Sequence, residues 1–290
     1  MKPAPFEYEA PSSVEEALRL LADPAIETSL LAGGQSLVPA LNMRLARPER
    51  LVDLGRIEGL DAIRDENGAL CIGAMATKRS IERSALVAQK QPLLHEATGH
   101  IAHPQIRNRG TLGGSMAHAD PAAEYPAVAV ALDAEFRVIG PSGERRIAAA
   151  DFFVTYLTTA LAEDEILLEV TFPERPAGEG VGFAEICRRH GDFAMAGAAA
   201  TARLEAGRYQ DARIVLFGVD ATPVRALSQE ERLRGEVPSE ALHAEVAAAI
   251  GAGLEEPQGD QHASPEFRRQ LARTVSKRAL EAATARAAKA

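Results

Sequence analysis

Ala32-Gly33-Gly34-Gln35-Ser36 sits between Thr28 to Leu31, which reads as a short buried strand, and Leu37 to Leu45, which can begin a helix. Glycine lets the backbone take positive φ and lets a bulky ligand approach the main chain closely. Successive N–H groups in such a turn can converge on an anion, and a helix starting behind it adds the positive end of its dipole. Leu51-Val52-Asp53-Leu54 reads as the next strand, so this region predicts a β-α-β unit with parallel pairing in a small N-terminal lobe. A second turn, Thr111-Leu112-Gly113-Gly114-Ser115, again joins adjacent glycines to a terminal hydroxyl. Two such turns predict a ligand with two phosphates, or one long cofactor gripped from two sides. Neither turn has G-x-G-x-x-G after a strand, so a dinucleotide would be held in a manner other than the Rossmann one.

Upstream of the first turn, Ser13-x-x-Glu16 is a capping box, and Val14, Ala17, Leu18 and Leu21 follow it at helical spacing. Asp23-Pro24 ends that helix. Downstream, Ala62-Ile63-Arg64 and Leu70-Cys71-Ile72 flank Glu66-Asn67-Gly68, a hairpin signal. Thr77 opens a helical region that runs, with breaks, to about Thr98. Pro121 is expected to start a helix through Tyr125, Val128 and Leu132. Phe136 to Ile139 and Glu144 to Ile147 flank Pro141-Ser142-Gly143, a second hairpin, and Ile166 to Phe172 is a further strand. Prolines and glycines concentrate in Pro173 to Gly180, the best linker candidate. Three strand-like runs come next, Phe183 to Arg188, Ala194 to Leu204 and Ala212 to Val219. Helices are expected over Val224 to Leu233, Glu240 to Ile250, and from Glu266 to the alanine-rich end, where Ala282 to Ala290 would fray.

The chain of 290 residues is long enough for two domains, and its 46% hydrophobic content supports a real core. A net charge of −9 argues against nucleic acid, which needs a basic face. It does not argue against a nucleotide cofactor, because backbone N–H groups bind phosphate without lysines. Two distant cysteines, Cys71 and Cys187, and no C-x-x-C exclude a four-cysteine iron–sulfur cluster or structural zinc in this chain. Both are expected to be small core residues. Lone thiols fit a reducing compartment. With no signal-peptide core at the N-terminus and no apolar run long enough for a bilayer, a cytoplasmic protein without a membrane span is expected. His95, His100, His103 and His118 fit no helical i, i+4 pair and no H-E-x-x-H, so no metal site is predicted.

Four segments, in this order, resemble the FAD-binding medium subunit of the molybdenum hydroxylases, the flavoprotein of carbon monoxide dehydrogenase-like and xanthine dehydrogenase-like complexes. They are Leu31 to Leu37, Arg107-Asn108-Arg109-Gly110 with Thr111 to Ser115, Ala119-Asp120-Pro121-Ala122-Ala123-Glu124, and Arg188-Arg189-His190-Gly191-Asp192-Phe193-Ala194. The likeness covers nearly the whole chain. It implies an α+β protein. A two-lobed FAD-binding domain at 1–175, with a small βαβ lobe at about 1–55 and a larger mixed lobe at 56–175, would precede a C-terminal domain at 181–290. That last domain would hold a three-stranded antiparallel sheet and a helical bundle.

The resemblance also implies the site. Ala32, Gly33, Gly34, Gln35, Ser36 and Leu37, with Thr111, Gly113, Gly114, Ser115 and Ala117, would contact FAD, both turns holding its pyrophosphate. Glu124 matches an acidic position near the adenosine end, and Phe193 an aromatic that covers the flavin ring, which lies toward the C-terminal domain. Glu185 is a further residue expected to contact FAD; it falls near a position where several relatives carry Lys, a departure that points to an N-heterocyclic substrate of the complex rather than CO. The implied partners are a large molybdenum-binding subunit and a small subunit with two [2Fe-2S] clusters, as a dimer of heterotrimers. No residue of this chain need act as acid or base on the organic substrate.

Simpler readings stand beside these. Ser36 and Ser115 can cap helices and still bind phosphate. Asp120-Pro121 fits an N-cap and first helical residue, with Glu124 in the first turn, where the dipole favours a carboxylate. Arg188-Arg189-His190 fits a solvated strand end or a partner-facing surface. Phe193 fits a core aromatic. Two other functions are open to this sequence: a free-standing flavin oxidoreductase, and a non-catalytic scaffold with a vacant nucleotide site.

Overall fold

The computed structural model describes residues 1–255, 257 and 259–290. The N-terminal lobe is β1 (Glu7–Glu9), α1 (Val14–Leu21), β2 (Thr28–Leu31), α2 (Leu37–Met43) and β3 (Arg50–Asp53). Its three strands lie in the order β1-β3-β2, all parallel, with Leu31 opposite Asp53. The β-α-β unit is therefore present as expected. The Ser13 hydroxyl caps α1 by accepting the Glu16 N–H, while the Glu16 carboxylate accepts the Ser12 N–H.

The second lobe opens with the hairpin β4 (Ile63–Glu66) and β5 (Ala69–Gly73). Asn67 and Gly68 take φ 54° and 92° between them, a tight turn with both central residues left-handed. Helices α3 (Lys78–Arg83), α4 (Ala85–Lys90), α5 (Pro92–His100), α6 (Pro104–Arg107), α7 (Leu112–His118) and α8 (Glu124–Ala131) follow. Then come β6 (Glu135–Gly140), β7 (Gly143–Ala148), α9 (Ala149–Phe152), β8 (Phe153–Thr155), β9 (Thr158–Thr159) and β10 (Ile166–Phe172). The sheet order is β4-β5-β10-β6-β7, so the last strand in sequence lies at the centre. That agrees with its nearly uniform apolar character, because a central strand is covered on both faces.

The C-terminal part is β11 (Gly180–Cys187), β12 (Ala194–Glu205), β13 (Arg208–Phe217), β14 (Val224–Arg225), α10 (Leu227–Leu233), α11 (Glu240–Gly253) and α12 (Pro265–Ala287). Its sheet is antiparallel with four strands, not three, because β14 adds to the free edge of β13. Val224 therefore begins a strand, and the helix expected from that residue starts at Leu227. The two faces of this sheet pack differently. Ala199, Val215 and Phe217 face the core of the second lobe, while Ala196, Ala198, Ala200, Ile214 and Leu216 face α11 and α12. A Cβ at Gly182 would lie 2.0 Å from the Ala279 carbonyl oxygen. So α12 rests directly on the β11 backbone, and glycine there permits the approach. Ala283, Thr284 and Ala287 are buried, so α12 does not fray from Ala282 as expected. Cys71 is a core residue, but Cys187 is only half-buried.

One helix start also differs. Pro121 does not open a helix; α8 begins at Glu124 with Ala123 as its cap residue. The Asp120 carboxylate accepts the Ala122 N–H at 2.9 Å in a local turn. The Pro121 carbonyl, which a helix would use, accepts the Gly218 N–H at 2.7 Å from beyond β13. A long-range bond thus displaces the local one. Every residue of α8 is buried, and the helix packs against α5, α7, α9 and the C-terminal strands β12 and β13.

Candidate functional site: a cavity behind two glycine turns

The two glycine turns lie against each other. A Cβ at Gly33 would sit 2.3 Å from the Arg109 carbonyl oxygen and 2.7 Å from Gly110 Cα. A Cβ at Gly114 would be 4.0 Å from the Gly33 nitrogen. No side chain fits at Gly33, so the N-terminal lobe and the segment before α7 close over one another at backbone distance. The start of α7 is pinned further by a bridge between Thr111 and Thr77.

The turns differ in their N–H groups. Among the described residues, the N–H groups of Gly33, Gly34, Gln35, Ser36 and Leu37 donate to no protein acceptor. Gly34 takes φ +71°, and the Gln35 side chain braces the turn by donating to the Gly33 carbonyl at 3.0 Å. Ser36 occupies the cap position of α2 but makes no capping bond. In the second turn the Leu112 and Gly113 N–H groups donate to the Ala76 and Ala74 carbonyls, and the Gly114 N–H to the Thr111 hydroxyl. Thr111, not Ser115, caps α7, and Ser115 lies inside that helix. The anion cradle read into both turns is therefore open in the first and used by the fold in the second.

A cavity of about 510 Å³ adjoins both turns, a size suited to an organic cofactor. Thirteen of the candidate residues line it: Ala32, Gly33, Gly34, Gln35, Ser36, Leu37, Thr111, Gly113, Gly114, Ser115, Ala117, Glu124 and Phe193. Glu185 does not. It lies behind the wall, its Oε1 3.4 Å from His100 Nδ1, on a side chain only 4% exposed. Phe193 is not a core aromatic: it is 62% exposed at the cavity mouth, beside Gly191 and Asp192. Arg188, Arg189 and His190 are exposed on the same loop.

Lys78, Ile106, His118, Glu165 and Leu167 also line the cavity, and sequence reasoning missed them. Lys78 follows the helix cap Thr77, which was the only local signal. Its Nζ lies 5.4 Å from the Tyr125 ring centroid. Burial pushes its pKa down, and the charge of Glu124 partly opposes this. Burial pushes the Glu124 carboxyl up to about 7; its own backbone N–H opposes this, Glu185 adds to it, and Lys78 and His100 oppose it. The Glu185 hydrogen bond raises the His100 pKa against the effect of burial.

A turn with five unengaged N–H groups, a second turn packed against it and an apolar-walled cavity fit a phosphate-bearing cofactor. Comparisons with known proteins agree. Residues 4–175 match the FAD binding domain in molybdopterin dehydrogenase, and residues 182–283 the CO dehydrogenase flavoprotein C-terminal domain. The chain is 42% identical over 290 residues to the 6-hydroxypseudooxynicotine dehydrogenase complex subunit alpha of Paenarthrobacter nicotinovorans, covering 99% of this chain and 97% of that one. It is 39% identical to the carbon monoxide dehydrogenase medium chain of Hydrogenophaga pseudoflava, covering 99% and 100%. The crystal structure of quinoline 2-oxidoreductase from Pseudomonas putida 86 contains a chain with a TM-score of 0.95 and 38% identity, with 99% of each chain covered. This chain belongs to the FAD-binding medium subunits of the molybdopterin dehydrogenases, the flavoprotein family of the carbon monoxide and xanthine dehydrogenases.

Proposed function

We propose that this chain holds FAD in the cavity, receives electrons from clusters on an iron–sulfur partner, and passes them to an external acceptor. The observation that carries the reading is the row of free N–H groups from Gly33 to Leu37. Such a row suits a pyrophosphate, which offers many acceptor oxygens and negative charge. Ser115 and Thr111 would add the second wall, Ala117 the floor, and Phe193 the cover over the ring. When bound, the flavin supplies the redox chemistry, while the protein supplies binding, orientation and electrostatics. Cys71 and Cys187 are single thiols on different sheets, so clusters are assigned to the partner.

The same reading assigns a large molybdenum-binding subunit that oxidises the substrate, and a dimer of heterotrimers as the assembly. It divides this chain at 1–175 and 181–290. The substrate of the complex is assigned as an N-heterocycle rather than CO. Support comes from relatives named for 6-hydroxypseudooxynicotine and quinoline, although a CO dehydrogenase chain is comparably similar. Among the described residues no helix is long and apolar enough to cross a membrane, and the free thiols suit a reducing cytoplasm.

The test is the purified chain itself. It should carry a yellow chromophore, and the cofactor released on denaturation should run as FAD rather than FMN. Co-expression with candidate partners should yield a complex containing iron, sulfide and molybdenum. A colourless chain that ignores added FAD defeats the reading.

A further inference from the structure

The β12–β13 ladder ends at the rung between Gly197 and Phe217. Just beyond it, the carbonyls of Met195 and Gly218 both accept from Arg268 of α12, whose Nη1 lies 2.5 Å from the Met195 oxygen and also bonds that of Gly218. Its Nη2 reaches the Asp260 carboxylate at 2.7 Å. The Arg268 side chain is only 8% exposed. A nearly buried cation thus takes the place of the missing rungs. Arginine suits the position because its planar fork serves several acceptors at once.

Both carbonyls belong to segments that reach the cavity. Met195 lies two residues after Phe193, with Ala194 buried between them. Gly218 takes φ +73°, and its Cβ position is 2.9 Å from the Ala194 carbonyl oxygen, so its backbone lies directly on the root of the mouth loop. The Gly218 N–H donates to the Pro121 carbonyl at 2.7 Å, and Asp120 and Ala123 of that turn line the cavity. The other end of the mouth loop has its own anchor, His103, whose Cε1 is 2.6 Å from the Cβ position of Gly191. Asp192 and Phe193 are the exposed residues between the two anchors.

We propose that Arg268 is a positioning residue for the cover of the cavity: it fixes the root of the mouth loop against the Asp120–Ala123 turn, and so sets how Phe193 lies over the bound ring and how readily an acceptor reaches that ring. The proposal rests on the FAD reading above, with Phe193 as the cover. Arg268 does not itself line the cavity. Among the described residues no hydrogen bond joins α12 to either glycine turn. Removing the guanidinium leaves two carbonyls without their charged donor and frees the loop root to shift, while the cradle that grips the phosphates keeps its own supports.

The test uses the FAD-loaded chain. Arg268→Met keeps most of the stem and removes the fork. It should retain flavin and change the rate at which photoreduced flavin is reoxidised by about threefold or more, in the same direction as Phe193→Ala. In the double variant the second substitution should add nothing, because a cover already displaced cannot be lost again. Arg286→Met is the control on the same helix: it gives up the bonds to Glu96 and the Val181 carbonyl, so it should lower the melting temperature and leave reoxidation unchanged. If Arg268→Met does not fold, Asp260→Asn decides. It withdraws the counter-charge but can still accept the His262 and Ala263 N–H groups, and it should shift the rate in the same direction, with no effect in the Phe193→Ala background. An unchanged rate in the flavin-bearing variant, an effect that multiplies with that of Phe193→Ala, or an equal change in Arg286→Met overturns the inference. A chain that binds no FAD defeats the functional reading and this proposal with it, whereas flavin held and reoxidised at the parent rate defeats only this proposal.

Discussion

Replacing Gly34 by Val should empty the cavity of flavin while leaving the fold in place. Gly34 has φ +71°, and a new Cβ there would meet only two side-chain atoms, Val38 Cγ2 at 3.1 Å and Leu31 Cδ1 at 3.3 Å. Both neighbours can yield by a few tenths of an ångström. The main cost to the fold is therefore the left-handed backbone, about 1–2 kcal/mol, or a few degrees in melting temperature. The ligand loses more. If the turn relaxes to negative φ, at least two of the five free N–H groups rotate out of the concavity. Hydrogen bonds to charged groups contribute about 1.5–3 kcal/mol each, so affinity should fall by roughly 10²- to 10⁴-fold. Gly207 supplies the control: it takes φ +75° in the β12–β13 turn, and a Cβ there would meet nothing within 4 Å. Gly207→Val should cost similar stability and retain flavin. Flavin-to-protein ratio after gel filtration, with melting curves for both variants, gives the comparison. Full flavin in Gly34→Val, or equal loss in Gly207→Val, refutes the cradle.

Phe193→Ala should barely change the melting temperature, since a side chain already 62% exposed forfeits only about 1 kcal/mol. Phe217→Ala, from a fully buried ring, should cost about 3–5 kcal/mol. Phe193→Ala should instead change the rate at which reduced flavin is reoxidised, read by stopped flow; an unchanged rate removes Phe193 from the site. Glu124 has a carboxyl raised from 4.5 to about 7 in the folded chain, so the native state holds a proton that the unfolded state releases. Stability should therefore fall as pH rises from 4.5 toward 7, and Glu124→Gln should be more stable than the parent above pH 7 by up to about 3 kcal/mol. Urea midpoints at pH 5 and pH 8 check the sign. Gly182→Ala should lower stability by at least about 1–3 kcal/mol, because the new carbon falls 2.0 Å from the Ala279 carbonyl oxygen and α12 must lift from β11.

Elements with a strong local signal were legible. Asn67-Gly68 fixes its own hairpin because both residues accept positive φ, and Ile166 to Phe172 reads as a strand, which the structure places at the sheet centre. Fold class, parallel N-terminal pairing and the FAD family followed from such signals and from ordered motifs. What failed was non-local. Pro121 lost its helix to a bond from Gly218, nearly a hundred residues away in the chain, and β14 exists only because β13 leaves an edge to pair with. Most candidate site residues were visible because glycine turns mark themselves. Lys78 was not, since a lysine after a helix cap ordinarily lies in solvent; here tertiary packing turns it inward over Tyr125. Glu185 was named as a contact, yet alternation along β11 cannot tell a cavity wall from the layer behind it.

The four glycines of the two turns do physically different work, although they look alike in the sequence. Gly33 and Gly113 are small because backbone lies where a Cβ would be: Arg109 and Gly110 over one, Ala74 over the other. Gly34 is glycine for its conformation, and Gly114 for the Thr111 hydroxyl 2.8 Å from its Cβ position. Three of the four therefore serve packing. That packing holds the free N–H groups of the first turn at fixed positions before any ligand arrives, so little ordering entropy opposes binding. The same logic separates retention from reactivity. The cradle is built from the interior of two lobes and tolerates little change. The mouth is the loop Gly191 to Phe193, where Asp192 and Phe193 are exposed, while Gly191 is held by its φ of +88° and by His103, 2.6 Å from its Cβ position. Differences among family members in what the flavin reacts with should therefore arise at that loop, and differences in whether flavin is held at all should arise at Gly33 and Gly34.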